Sequence, residues 1–522
     1  MLDRNMFRTA IVVLALGSLG AAARAQFTGI YTFNGNYDGC CSYYADYLAQ
    51  GTDGNLHGTM PVGAWAAPYG SWFDYTPGTS SPLIHELQSS LQPEEPYSGL
   101  TLGVDGNLYG GSTHGGASTG SGSTYGALFR ISNGVMTTVY KFTGGTNGSY
   151  PYAPPIQAPD GNLYGVTYDP ATTGYVYQVV MSNGVGTLGW IHALPSGSRA
   201  ALIMATDGNL YGTVPYGGFT INGKAPLNNS GGAIFQVTLG GALTGIYNIT
   251  GSSSNNNGAG DGFRSWGAVM QASDGNLYGA TTAGGAYAGG TLYKVALNGT
   301  GFTVIHNFQY NDGTAPSGGL VEGSDGYLYG LASASGYLKN IIIPGGGFVF
   351  TPEGTLFKVD TAGVNFVRLY TFFKGNVSGG QGSGNNPFAT PVLHTSGVIY
   401  GLTQSGGTGP SGNYFGTYDD GGELFSYHAS LEPFVSVVSQ RTGKIGDRIS
   451  IIGQGFLNTT GVLFGGVAAS SQKFQIIILS DNFLTVVVPF GAKSGKITVQ
   501  ESNTTYTTIN PFKIQCSFLY CP

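Results

Sequence analysis

The sequence predicts an all-β fold: a seven-bladed β-propeller closed by its N-terminal strand and followed by a small β-sandwich. Three observations predict it. The 522 residues include 90 Gly but only 20 Lys and Arg and 26 Asp and Glu, 9% of the chain, a composition of many turns and few charged faces. Aromatic residues make up 13%, enough apolar mass for a core, so neither a disordered nor a collagen-like chain fits. Finally, one short phrase recurs at a period of about 50 residues, which is the spacing of propeller blades rather than of helical solenoids.

Taken in order, residues 1–25 have the form of an export signal. Arg4 and Arg8 supply the positive start, residues 10–19 the apolar stretch, and Ala23-Arg24-Ala25 the cleavage site, leaving Gln26 first in the mature chain. The apolar stretch is shorter than the roughly 20 residues that span a bilayer. A secreted protein, extracellular or at the cell surface and without a membrane span, is therefore expected. A net charge of -6 with so few cations gives nucleic acid nothing to hold. Export permits disulfides. The cysteines fall in two close pairs, Cys40-Cys41 and Cys516 with Cys521. A Cys516–Cys521 loop in the tail, residues 516–522, is geometrically easy, whereas a vicinal Cys40–Cys41 bond is strained; the pairing of Cys40 and Cys41 stays open. No Cys or His stands at ligand spacing beside either pair, so no metal and no cofactor is expected.

Residues 26–431 carry the repeats. Asp-Gly-Asn-Leu-Tyr-Gly or a close variant begins at Asp53, Asp105, Asp160, Asp207, Asp274 and Asp325, and Ser396 to Gly401 is a degenerate seventh copy. Each repeat divides into four short strands with Asp-Gly as the hairpin between the first and second, because Gly accepts positive φ and Asp bonds the turn backbone. One carboxylate per turn is far fewer oxygens than calcium takes, so the Asp row is structural. The repeated tyrosines fit between blades, and His57, which replaces one of them, fits the same core. The seventh repeat lacks a fourth strand, while residues 28–33 (TGIYTF) resemble fourth strands such as 244–249 (TGIYNI). Pairing of 28–33 with 423–428 would close the ring and remove its edges.

Residues 432–515 change character and alternate in the manner of a small sandwich. The stretches PFVSVVSQRTGKIGDRISIIGQGF, GVLFGGVAA, LTVVVPFGAKSGKITV and PFKI resemble the IPT/TIG immunoglobulin-like family, which implies a binding or spacer module without catalytic residues. The repeats themselves, as in GLVEGSDGYLYG at 319–330 and GTLFKV at 354–359, are similar to the GloVer tandem repeats of secreted bacterial proteins. That resemblance implies export and brings no activity with it. Residues 26–432 hold 10 Lys and Arg against 22 Asp and Glu, and residues 433–522 hold 7 against 3. Opposite signs allow the module to rest on the propeller, although independent solvated faces are the simpler expectation.

Strand order divides the connections between two rims. The Asp-Gly turns and the short third-to-fourth hairpins form one; the second-to-third and fourth-to-first connections, which vary in length and sequence, form the other. Function concentrates in variable loops on a rigid scaffold. There the candidate ligand-binding residues are Tyr43, Tyr44, Tyr150, Tyr152, Tyr216, Trp266, Tyr310, Tyr414 and Tyr418, with Tyr97 beside them, an aromatic and hydrogen-bonding surface for glycans or a cell-surface protein partner. No nucleophile-elbow, zinc-protease or phosphate-loop motif is present. A noncatalytic binding or surface-interaction protein is the reading; the alternative is a secreted polysaccharide lyase or glycoside hydrolase using His114, Tyr152 and Arg264 on the same rim.

Overall fold

A computed structural model describes residues 26–33, 38, 47–61, 69–87, 93–115, 125–169, 173–226, 230–251, 260–334, 351–374, 384–406, 421–469 and 475–515. Residues 1–25, read above as an export signal, all four cysteines with their pairing, and Tyr43, Tyr44, Tyr414 and Tyr418 lie outside the described residues. Within residues 27–428 the described chain forms seven four-stranded antiparallel sheets, six of them built from strands that follow one another along the chain, and the protein is a propeller-like repeat. The fourth sheet is representative: Ile203–Met204, Leu210–Val214, Ala233–Val237 and Leu243–Asn248, from a two-residue inner strand to a longer outer one. In the seventh, the N-terminal strand Phe27–Thr32 pairs antiparallel with Glu423–His428, in the register Phe27 to Tyr427 and Thr32 to Glu423.

In the second to fifth sheets the hexapeptide acts through three side chains. At Asp207 one carboxylate oxygen accepts the Asn209 backbone N–H at 3.1 Å, and the other accepts Asn209 Nδ2 at 2.9 Å and the Tyr211 hydroxyl at 2.7 Å. The turn glycine Gly208 takes φ 83, which only glycine adopts without strain. Tyr109, Tyr164, Tyr278 and Tyr329 repeat the hydroxyl bond to their own aspartates at 2.6–2.8 Å. All five tyrosines are buried. Burial and the acceptor carboxylate push their hydroxyls well above the usual tyrosine pKa. The closing glycine of the phrase has a packing cause: the third-strand aromatic lies across it, so a Cβ at Gly212 would meet Phe235 at 2.6 Å, and one at Gly401 would meet Phe425 at 2.5 Å.

His57 is buried as expected of a core residue, but it is not a bland one. Its Nδ1 meets Asp74 and its Nε2 stands 3.1 Å from Asp53 Oδ1, while Asp74 also holds His85 at 2.9 Å. Burial alone would lower the imidazole pKa; the two carboxylates override it and raise the value to about 9.

After the seventh sheet, two further four-stranded sheets share one core. The strands Ser436–Val437, Arg448–Ile452, Ile476–Ser480 and Phe483–Val487 form one, and Thr459–Phe464, Val467–Ala468, Ile497–Glu501 and Thr505–Thr507 the other. Ile451, Phe456, Phe464, Leu484 and Val499 are buried between them. This module rests directly on the rim of Asp-Gly turns. Ser480 Oγ donates to Thr52 O at 2.6 Å, Ser439 Oγ to Leu102 O at 2.9 Å, and Ser450 Oγ to Val104 O at 2.7 Å. Arg441 donates to Gln271 O, and the Phe434 N–H to Thr395 O at 2.9 Å. Val438 and Phe483 add apolar contact against Leu102 and Leu108. The expectation of independent solvated faces is thereby corrected: neutral hydroxyls satisfying turn carbonyls, rather than the opposite net charges, make most of the bonds.

Candidate functional site

With the hairpin rim covered, the variable rim is where side chains converge. Five fourth-to-first connections are tied down by the same backbone pattern. Tyr150 donates to Tyr125 O at 2.8 Å and accepts from the Tyr168 N–H at 3.1 Å; Arg264 repeats this with Gly231 O at 2.8 Å and the Thr282 N–H at 2.9 Å. Both residues sit at positive φ, 52 and 64, as do Glu95, Ala315 and Asn386 at the same place in their repeats, ten residues before the turn position. Non-glycine residues persist there only where surrounding bonds over-determine them, and such positions cluster at binding sites.

Two residues further on, eight before the turn, each connection presents a side chain at the mouth: Tyr97, Tyr152, Arg199, Trp266, Ser317 and Phe388. Four of these meet. The Arg199 guanidinium carbon lies 4.8 Å from the Tyr152 ring centre, 4.2 Å from that of Tyr168 and 5.2 Å from that of Trp266. Tyr97 packs on Tyr152 at 5.5 Å, and Tyr216 stands edge-on to Trp266 at 5.7 Å. Arg264 covers the neighbouring faces of Tyr216 and Phe263 at 5.4 and 5.1 Å. The result is a continuous strip of aromatic faces interleaved with two cations, drawn from the second to the fifth sheet.

One level deeper, six residues before each turn, the chain carries small or short side chains, Gly99, Pro154, Ala201, Ala268, Gly319 and Thr390, with one exception. That exception is Tyr47. Its ring reaches from the first sheet to the fourth, where its hydroxyl accepts the Ala201 N–H at 3.0 Å. The aromatic strip therefore lies over a filled floor.

Of the sequence candidates, Tyr152, Trp266, Tyr216 and Arg264 join this strip. Tyr150 flanks it, its ring 6.0 Å from His114. Tyr310 stands 59% exposed on a 3-10 turn outside it. His114, Tyr152 and Arg264 each have separate partners: His114 Nδ1 bonds Glu95 Oε2 at 2.8 Å, whereas Tyr152 packs on Arg199 and Arg264 on Tyr216. The bond to His114 holds the Glu95 carboxyl below its usual range and raises the imidazole. Among the described residues no group of three or more His, Cys, Asp or Glu is placed to hold a metal ion. Arg199 and Tyr168 were not among the sequence candidates. The signal that finds Arg199 is its fixed distance to Asp207, the same as that of Trp266 to Asp274.

This repeat architecture has a match among known families. The model of the Gloeobacter/Verrucomicrobia repeat fits residues 21–226 and 200–416. The chain belongs to that family. The matched residues of the Gloeobacter/Verrucomicrobia repeat take in six of the sheets described above, the seventh except its strand Glu423–His428, and every residue of the aromatic strip, and stop before the two-sheet module. No curated protein matches the sequence. Solved structures similar to this repeat protein include the β-propeller domain of the Trilobed protease from Pyrococcus furiosus, with 8% identity over 74% of this chain and 97% of that one, at a TM-score of 0.38. A putative 6-phosphogluconolactonase from Bacteroides fragilis shows 18% identity over 62% and 83%, TM-score 0.39. An oligogalacturonate lyase in complex with manganese shows 12% over 69% and 96%, TM-score 0.36. Likenesses this distant say nothing of activity. Among the described residues no helix is long and apolar enough to cross a membrane.

Proposed function

We propose that this chain is a secreted, noncatalytic glycan-recognition protein: a seven-bladed propeller at 26–431, closed by its N-terminal strand, whose IPT/TIG-like module at 432–515 covers one rim and leaves the other to bind. The observation that carries the reading is the Arg199 guanidinium held against Tyr152, Tyr168 and Trp266. Aromatic faces accept the C–H faces of sugar rings, while tyrosine hydroxyls and guanidinium edges bond sugar hydroxyls or carboxylates. The positive-φ anchors at Tyr150 and Arg264 hold the connections of Tyr152 and Trp266 in place before a ligand arrives, which lowers the ordering cost of binding. The filled floor beneath supports a surface platform along which a chain lies.

The test is a glycan array probed with the chain from Gln26 onward, with product detection on every positive. Binding that falls at least about tenfold in Trp266→Ala and Arg199→Ala but not in Tyr310→Ala is the expected result. Equal binding by all three variants would place the site elsewhere, and release of cleaved product would replace recognition by catalysis.

A further inference from the structure

Between the repeat sheets and the two-sheet module lies a cavity of about 290 Å³, at the lower end of the range for ligand sites, which favour domain interfaces. Its propeller wall includes Tyr47, Glu322 and Thr390; its module wall includes Gln440, Arg441 and Asn510. Most polar groups in a protein interior are paired, but Arg441 in this wall has donors to spare. Arg441 is enclosed by protein yet keeps accessible surface because it faces the cavity, and it spends one N–H on the Gln271 carbonyl. A guanidinium has five such donors. Gln440, only 5% exposed, lines the same wall. The Asn510 side-chain oxygen is buried without a donor. Glu322 is occupied: its two oxygens accept the Ser273 N–H at 2.8 Å and hydroxyl at 2.5 Å, and its carboxylate is the charge in this wall that favours the Arg441 cation.

An occupant must therefore bring acceptors to Arg441. The planar fork of a guanidinium matches a carboxylate in two parallel bonds. The apolar remainder of the wall, including Leu48, Val437 and Phe434, suits a short hydrocarbon body. We propose that this interface cavity binds a small organic monocarboxylate, its carboxylate on Arg441 and its body against the apolar wall, independently of the aromatic strip. Such a ligand touches both parts of the chain and so holds the module to the repeat.

The experiment is calorimetry of the chain from Gln26 onward with acetate and benzoate at millimolar concentration, against acetamide and benzamide. Saturable heats are expected for the acids, with the amides at least about tenfold weaker. Arg441→Gln should weaken binding by about as much, and Val437→Phe, which fills the cavity and keeps the arginine, should abolish it. Both variants are checked for a cooperative unfolding transition. A crystal structure of the unsubstituted chain grown with benzoate provides a readout that needs no variant, and density for the ligand on Arg441 supports the proposal. Ordered water alone in that cavity, no saturable heat from either acid, or amides that bind as well as acids would overturn it.

Discussion

Tyr211, in the second strand of the fourth sheet, and Tyr216, just past its end, stand five residues apart, and they belong to different halves of the molecule. Tyr211 is fully buried and spends its hydroxyl on Asp207; Tyr216 is 37% exposed and leans on Trp266 and Arg264. The same contrast separates the two rims as a whole. On the hairpin rim identical residues recur because each makes the same turn and the same inter-sheet contact, and the module then covers it. On the variable rim only the backbone tether recurs, so the side chains it presents are free to differ, and here they form an aromatic strip. Repetition marks the groups that hold the fold, and departure from repetition marks the groups available for recognition.

Substitutions can break or sharpen that division. The largest effect is expected from Tyr211→Ala, which empties a fully buried site and should lower unfolding free energy by about 3 to 5 kcal/mol, whereas Tyr216→Ala should cost less than about 1 kcal/mol. Denaturant melts of the two variants compare them directly. Equal losses would mean that the variable rim is also part of the structural core.

His57 tests the hairpin rim from within, because the repeat's tyrosine has been replaced there by a group that titrates. Its folded pKa of about 9 lies above the ordinary histidine value. The charged imidazole therefore stabilises the fold fully below about pH 6.5, and that contribution is lost as pH rises through 9. At most about 3 kcal/mol is involved. His57→Tyr, with a hydroxyl to donate to Asp53, should flatten stability across this interval; an unchanged pH profile would show that the imidazole is not charged in the fold.

Smaller effects are expected at the docked surface. Ser480→Ala and Ser450→Ala each leave a turn carbonyl without its donor and should cost about 1 kcal/mol, read as a lower thermal midpoint of the whole chain. If the midpoint stays fixed and only the module loosens to proteolysis, the two parts unfold separately. Smallest of all in stability is Arg199→Ala, under about 1 kcal/mol for the loss of cation–π contact, although it removes the centre of the proposed binding strip.

Much of this architecture is legible in the sequence because it depends on local rules. The Asp-Gly turns, the tyrosine set and the pairing of the first strand with residues 423–428 all follow from a phrase that repeats and a strand that is missing from the last copy. Docking of the module is not legible, since single serine hydroxyls bonding backbone carbonyls leave no pattern in composition or spacing. The binding strip is half legible. Tyr152, Trp266 and Tyr216 are conspicuous as loop aromatics, whereas Arg199 lies in a short Ser-Gly-Ser-Arg segment with no aromatic neighbour in sequence, and its companions arrive from adjacent sheets. Charge on His57 was hidden for the same reason: Asp74 comes from the next strand.

The strand pairing of Phe27 with Tyr427 joins positions 400 residues apart. Closing a loop of that length is an entropic burden that early folding steps cannot offset, and chains dominated by such distant contacts reach their final form slowly. The strand Phe27–Thr32 must wait until all the intervening sheets have assembled before it finds its place. Until then the last sheet offers an open edge to any other extended peptide, so the half-made molecule, more than the finished one, is where protection from wrong partners is needed.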